Sequence, residues 1–92
     1  MTAKLTKSQV VVLRELEKPG MVAFRYRSII SPRTLYWRVR GVRSTPEMKA
    51  LLRKGFANIT DSWTDGTARA EISSAGRAYL SQLDAAPEGV TQ

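Results

Sequence analysis

Residues 44–72 read STPEMKALLRKGFANITDSWTDGTARAEI. The first half has the marks of a helix. Ser44-Thr-Pro-Glu47 matches a capping box, and Pro46 suits a first turn, where its missing N–H leaves nothing unpaired. The start falls at Ser44 or Thr45. Met48, Leu51 and Leu52 recur at helical spacing as one apolar face. Lys49 and Arg53, four apart, share the opposite side. Gly55 can adopt the left-handed backbone that closes a helix. The second half reads as a hairpin. Ala57 to Thr64 and Thr67 to Ile72 flank Asp65-Gly66, a two-residue turn signal. That turn pairs Thr64 with Thr67, Trp63 with Ala68, Asp61 with Ala70 and Ile59 with Ile72. It puts Trp63 and Ile59 on the face of the alanines and Ile72, packed to the core, and Thr60, Ser62, Arg69 and Glu71 on the other.

Immediately upstream the pattern has two readings. In Ser31-Pro-Arg-Thr-Leu-Tyr-Trp-Arg-Val-Arg-Gly41, Ser31 can cap a helix, Pro32 can occupy its first position and Gly41 can end it. Leu35, Tyr36 and Val39 then share a face, with Arg33 and Arg40 outward. A helix is the expectation. The rival is a β-hairpin, since Tyr36, Trp37 and Val39 also suit a strand and Ser31-Pro32 a turn. Before this segment, Met21 to Arg27 alternates: Val22, Phe24 and Tyr26 face one way, and Ala23, Arg25 and Arg27 the other. That is a short strand.

The ends are plainer. Thr6 and Gln9 form a capping box, and Leu5 and Val10 form a hydrophobic staple around it. Val10, Val12, Leu13 and Leu16 make the apolar side of this helix, which Pro19-Gly20 ends. Downstream, Ser73 or Ser74 caps a last helix whose Ala75, Tyr79, Leu80 and Leu83 pack inward. Residues 1–84 are expected to form one domain, and 85–92 a disordered tail.

Composition narrows the chemistry. The 92 residues include no cysteine and no histidine. Disulfides and thiolate metal sites are excluded, and the commonest general base is missing. The acids are scattered, and Asp61 with Asp65 lacks a third ligand for a metal. There is no P-loop and no dinucleotide fingerprint. We expect no enzyme, no catalytic residue, no metal and no cofactor. No apolar run approaches the roughly 20 residues that span a bilayer, and the first residues lack the apolar core of a signal peptide. The expected address is the cytoplasm, without a membrane partner.

The charge is +7 and unevenly placed. From Met21 to Lys54 stand Arg25, Arg27, Arg33, Arg38, Arg40, Arg43, Lys49, Arg53 and Lys54, against the single acid Glu47. The rest of the chain is slightly acidic. A concentrated basic block suits phosphate, because each neutralised phosphate releases counterions.

The order helix, strand, helix, turn, helix, hairpin, helix resembles the winged helix-turn-helix fold, including that of MarR-type regulators and small phage or mobile-element proteins. Three runs carry the resemblance. They are Gly41-Val42-Arg43-Ser44, Leu51-Leu-Arg-Lys-Gly-Phe56 before the Asp65-Gly66 wing tip, and Ile72-Ser-Ser-Ala-Gly-Arg77. The family pattern implies a mainly α protein with a small antiparallel hairpin (α+β), and a recognition helix over about residues 44–54. It implies sequence-specific binding to double-stranded DNA, in transcriptional regulation or as an accessory factor. Thr45, Lys49 and Arg53 would then read bases, with Arg43 and Ser44 beside the helix N-terminus and Lys54 at its end. Arg69 would reach DNA from the wing. Arg25, Arg27, Arg33, Arg38 and Arg40 would contact phosphates, which position a protein without reading sequence. The chain lacks the long flanking helices with which MarR-type proteins dimerise, so a homodimer is left open.

Two alternatives stay open. A protein-interaction module could dock the same basic face on an acidic partner. A single-strand binder could stack bases on Phe24, Tyr26, Tyr36 and Trp37, which interleave with arginines. Core packing is the commoner use of such aromatics.

Overall fold

The computed structural model describes residues 4–31 and 33–85. The chain folds as α1 (Lys7–Glu17), β1 (Ala23–Arg27), β2 (Leu35–Val39), β3 (Val42–Arg43), α2 (Thr45–Arg53), β4 (Ala57–Ser62), β5 (Ala68–Ile72) and α3 (Ser74–Ala85). The five strands form one antiparallel sheet in the order β3-β2-β1-β5-β4. This is an α+β fold.

The helix expected over residues 31–41 does not form. Among the described residues this stretch supplies β2 and a turn, so no helix lies between β1 and α2, and the sheet has five strands instead of a hairpin and one short strand. The cause is legible in the backbone. Arg40 and Gly41 both have positive φ, at 53° and 76°. That is the two-residue turn that matches the twist of a hairpin, and it sets Val39 opposite Val42. Leu35, Trp37 and Val39 then alternate onto one face. The assignment of Pro32 to a first helical turn lies outside the described residues.

Three helices cover one face of the sheet. Leu13, Leu16, Met48, Leu51 and Leu80 are fully buried against Ala23, Trp37, Val39, Ala57, Ala68 and Ala70. Alanines on β1, β4 and β5 let the helices approach closely. α1 begins as expected: Gln9 N–H donates to the Thr6 hydroxyl, and Thr6 N–H donates to Oε1 of Gln9. α3 is capped by Ser73, whose Oγ accepts from Gly76 N–H at 3.1 Å and donates to the Gly55 carbonyl at 2.6 Å. Ala75, expected to face inward, is exposed, and Gly76 is buried in its place. α3 runs to Ala85, one residue into the expected tail; residues 86–92 lie outside the described residues.

The β4–β5 hairpin forms where expected but in another register. Its loop has three residues, Thr64-Asp65-Gly66, with Gly66 at φ 95°. Trp63 N–H donates to the Thr67 carbonyl and Gly66 N–H to the Trp63 carbonyl. This is a turn followed by a left-handed glycine. Ser62 therefore pairs with Ala68, and Asp61 with Arg69. A β-bulge at Thr60 then shifts the ladder again, so that Ile59 faces Ala70 and Ala57 faces Ile72. Thr60 and Asp61 together oppose Arg69, which re-phases the alternation beyond the bulge. The three-residue loop pairs Trp63 with Thr67, so Trp63 leaves the core face and is 53% exposed, while Ile59, returned to the core face by the bulge, is 45% exposed at the sheet edge.

Candidate nucleic-acid interface

The strand alternation of β1 and β2 divides the basic block into two groups. On the helix side of the sheet lie Ala23 and Arg25 of β1, opposite Val39 and Trp37 of β2. Trp37 is 2% exposed, and the Arg25 guanidinium lies 5.5 Å from its ring centre. The β1–β2 hairpin runs past α2 here and leaves a cleft of about 520 Å³ between them. Arg25, Arg33, Lys49 and Arg53 line it, over a floor of Leu35, Trp37 and Leu52. No carboxylate lines this cleft among the described residues. Lys49, Arg53 and Arg33 also carry no ion pair among those residues. Lys49 and Arg53 were expected on the open side of the helix and are found there. Arg25 and Arg33, expected as phosphate contacts, converge with them.

Other members of the block are engaged elsewhere. Arg40 sits in the β2–β3 turn, with its Nη1 3.5 Å from Glu15 Oε1. Lys54 Nζ donates to the Lys4 carbonyl at 3.1 Å. Ser44 is buried; its hydroxyl donates to the Val42 carbonyl and its N–H to the Trp37 carbonyl. No side-chain cap forms at Ser44, so the expected capping box at the start of α2 is not made. The Thr45 hydroxyl accepts from Trp37 N–H at 3.0 Å. The Ser44 N–H and the Thr45 hydroxyl fasten the start of α2 to β2. Arg69, for which no opposing acid was expected, is ion-paired with Asp61 because of the register found in the hairpin.

The tips of the two hairpins are joined by arginines. Arg25 Nε donates to the Gly66 carbonyl at 2.8 Å, and Arg27 donates to the Asp65 carbonyl. A Cβ on Gly66 would lie 3.2 Å from a Leu35 methyl, so glycine also permits the close approach of the arms. The hydroxyl and N–H of Thr67 hold the Asp65 carboxyl below its usual range, with Arg27 adding to the effect. At the far end of the β1–β2 arm, Ile29 and Ile30 are 96% and 95% exposed.

The second group of cations lies on the opposite face, away from the helices. Arg38 and Arg43 stand beside Tyr36, with guanidinium carbons 5.9 and 4.5 Å from its ring centre. Phe24 and Tyr26 adjoin it, both about two-fifths exposed. Sequence reasoning favoured the core for all these rings. Only Trp37 is there, because the parity of β2 sends Trp37 inward and Tyr36 outward.

No known protein family, curated protein or solved structure matches the chain. Among the described residues no helix is long and apolar enough to cross a membrane. No group of three or more acidic, cysteine or histidine side chains is placed to hold a metal ion there.

Proposed function

We propose that the protein binds double-stranded DNA, with α2 and the β1–β2 arm gripping the duplex through the cleft between them. The observation that carries this reading is the convergence of Arg25, Arg33, Lys49 and Arg53 from three segments, with no carboxylate among the cleft's described lining. Like charges brought together without a counter-ion repel, and the arrangement is relieved when an anion enters. Lys49 and Arg53 project from consecutive turns of a helix of nine residues. That helix can present side chains to a major groove while the arm follows a phosphate strand.

The topology lends support. α2 followed by the β4–β5 hairpin, with β5 paired to β1, is similar to the recognition helix and wing of a winged helix. The helix that precedes recognition in that fold is replaced by β2 and β3. The role in transcription or in another DNA transaction, and the cytoplasmic address, belong to this proposal. Its test is fluorescence anisotropy with a random duplex over about 50 to 200 mM salt. Salt-dependent binding that Lys49→Ala and Arg53→Ala weaken is the expected result. Absence of binding at the lowest salt overturns the proposal.

One observation favours a second reading, a protein partner. Two adjacent isoleucines stand almost wholly in solvent at the tip of the arm, shortly before Arg33 in the sequence. A partner with an apolar patch rimmed by acids would cover both. It would co-purify, would not be displaced by DNA, and would be lost on Ile29→Ser.

A further inference from the structure

The face of the sheet turned away from the helices carries a second organised surface. Two rows of side chains cross the strands on it. One row runs Arg43, Arg38, Phe24, Arg69 and Asp61, each the direct cross-strand partner of the next. The other contains Tyr36 opposite Tyr26, and it continues to Trp63, which shares a shallow depression with Phe24 and Tyr26. The ring centres of Phe24 and Tyr26 are 6.2 Å apart, and those of Tyr26 and Tyr36 are 5.7 Å apart. Phe24, Tyr26 and Trp63 are 38%, 40% and 53% exposed. The two rows are two residues apart along each strand, roughly 7 Å.

We propose that this face binds single-stranded nucleic acid, with unpaired bases stacked on the Tyr36–Tyr26–Trp63 row and the backbone following Arg43 and Arg38. Contiguous aromatic surface left in water marks a ligand site, and flat rings in a row fit the π-faces of successive bases. Charge selects the occupant. Arg38 and Arg43 have no ion pair among the described residues, and the guanidinium over Tyr36 offers a further plane for a base. The acids near this face are engaged or distant. Asp61 is held by Arg69, and Glu71 stands beyond Arg69 on β5, opposite Asn58. Asp65 borders the depression beside Trp63, with its carboxylate accepting from the N–H and hydroxyl of Thr67. A duplex keeps its bases inside and cannot use the rings. The site is separate from the cleft at α2 and stands whether or not that cleft takes DNA.

The test uses the full chain with oligothymidine and oligouridine of about 15 nucleotides, an abasic strand of equal length, and a duplex. Labelled-oligonucleotide anisotropy reads affinity. Intrinsic fluorescence reads Trp63, because Trp37 is shielded in the core. Base-bearing strands should bind more tightly than the abasic strand and perturb Trp63. Tyr26→Ala should weaken them about tenfold, and Tyr26→Phe should not. Lys49→Ala should leave their affinity unchanged. A preference between the two oligonucleotides identifies DNA or RNA as the source of the strand. Equal affinity for the abasic strand overturns the proposal. So does unchanged affinity in both Tyr26→Ala and Trp63→Ala, with circular dichroism confirming that at least one variant is folded.

Discussion

Arg69 stands directly across the β4–β5 hairpin from Asp61, and the two side chains are ion-paired. Both are partly exposed, which limits such a pair to about 0–1 kcal/mol. The consequence for binding is larger than for stability, because a guanidinium already neutralised has little left for a phosphate. Arg69→Ala should lower duplex affinity by no more than about twofold. Asp61→Asn, which releases Arg69, should raise it. Anisotropy at low salt separates the two, and an equal loss in both would show that the hairpin itself had been disturbed.

Lys49 and Arg53 should each contribute one phosphate-equivalent charge to binding. Replacing both with alanine should make the slope of log K against log salt shallower by about 1.8. Because both are exposed on α2, the melting free energy should move by no more than about 0.5 kcal/mol. A large loss of stability would mean that they hold the helix in place instead of facing a ligand.

Gly76 offers a case in which two rules give opposite signs. Helix propensity says that alanine improves the helix by about 1 kcal/mol. The packing says otherwise, since a Cβ there would lie 2.3 Å from the Phe56 carbonyl oxygen and 2.9 Å from Ile72 Cγ1. The obstacle is backbone and cannot rotate away. Gly76→Ala should cost about 2 kcal/mol net and lower the melting temperature by about 10 °C. A rise in melting temperature would show that α3 has freedom to shift outward.

Arg40 pays a backbone cost at φ 53° that asparagine meets far more easily. Arg40→Asn should raise stability by about 1 kcal/mol in urea denaturation, even though it removes the contact with Glu15. If the variant proved less stable, that contact would outweigh the strain of the turn.

The response to acid follows from three carboxylates. Hydrogen bonds from Lys18 to Glu15, from Thr67 to Asp65 and from Arg14 to Asp84 hold their carboxyls below the ordinary range, although burial opposes each. A depressed folded value means that the unfolded chain binds more protons in that window, so stability rises with pH there. The denaturation midpoint should be level above about pH 5 and fall as pH drops through the carboxylate range. High salt should flatten the part of the fall due to Glu15 and Asp84, whose partners Lys18 and Arg14 form exposed ion pairs.

Much of the architecture is legible in the residues. The Thr6–Gln9 box, the Met48–Leu51 spacing and the turn glycines locate α1, α2 and the β4–β5 hairpin. What misleads is local degeneracy. Arg40-Gly41 fits both the end of a helix and a two-residue turn, and only pairing with β1 selects the turn. Asp65-Gly66 likewise fits loops of two or three residues, and the choice moves every partner along the ladder. The site suffers the same way. Lys49 and Arg53 are found on the open side of α2 because helical period alone puts them there. The surroundings of Arg69, Trp63 and Tyr36 depend on register and strand parity, which no local pattern around them specifies.

The bulge at Thr60 has a further meaning for how this surface can change over time. The single extra residue joins two stretches of the ladder that would otherwise be out of step, Asp61 with Arg69 nearer the loop and Ile59 with Ala70 beyond it. Deleting Thr60 would leave both sets of partners in place, Ile59 against Ala70 and Asp61 against Arg69, and would remove only the kink between them. A substitution tunes a surface by degrees. Here one residue can be gained or lost at the bulge without exchanging the two sides of β4, so an alignment gap at this position would still group proteins presenting the same chemistry.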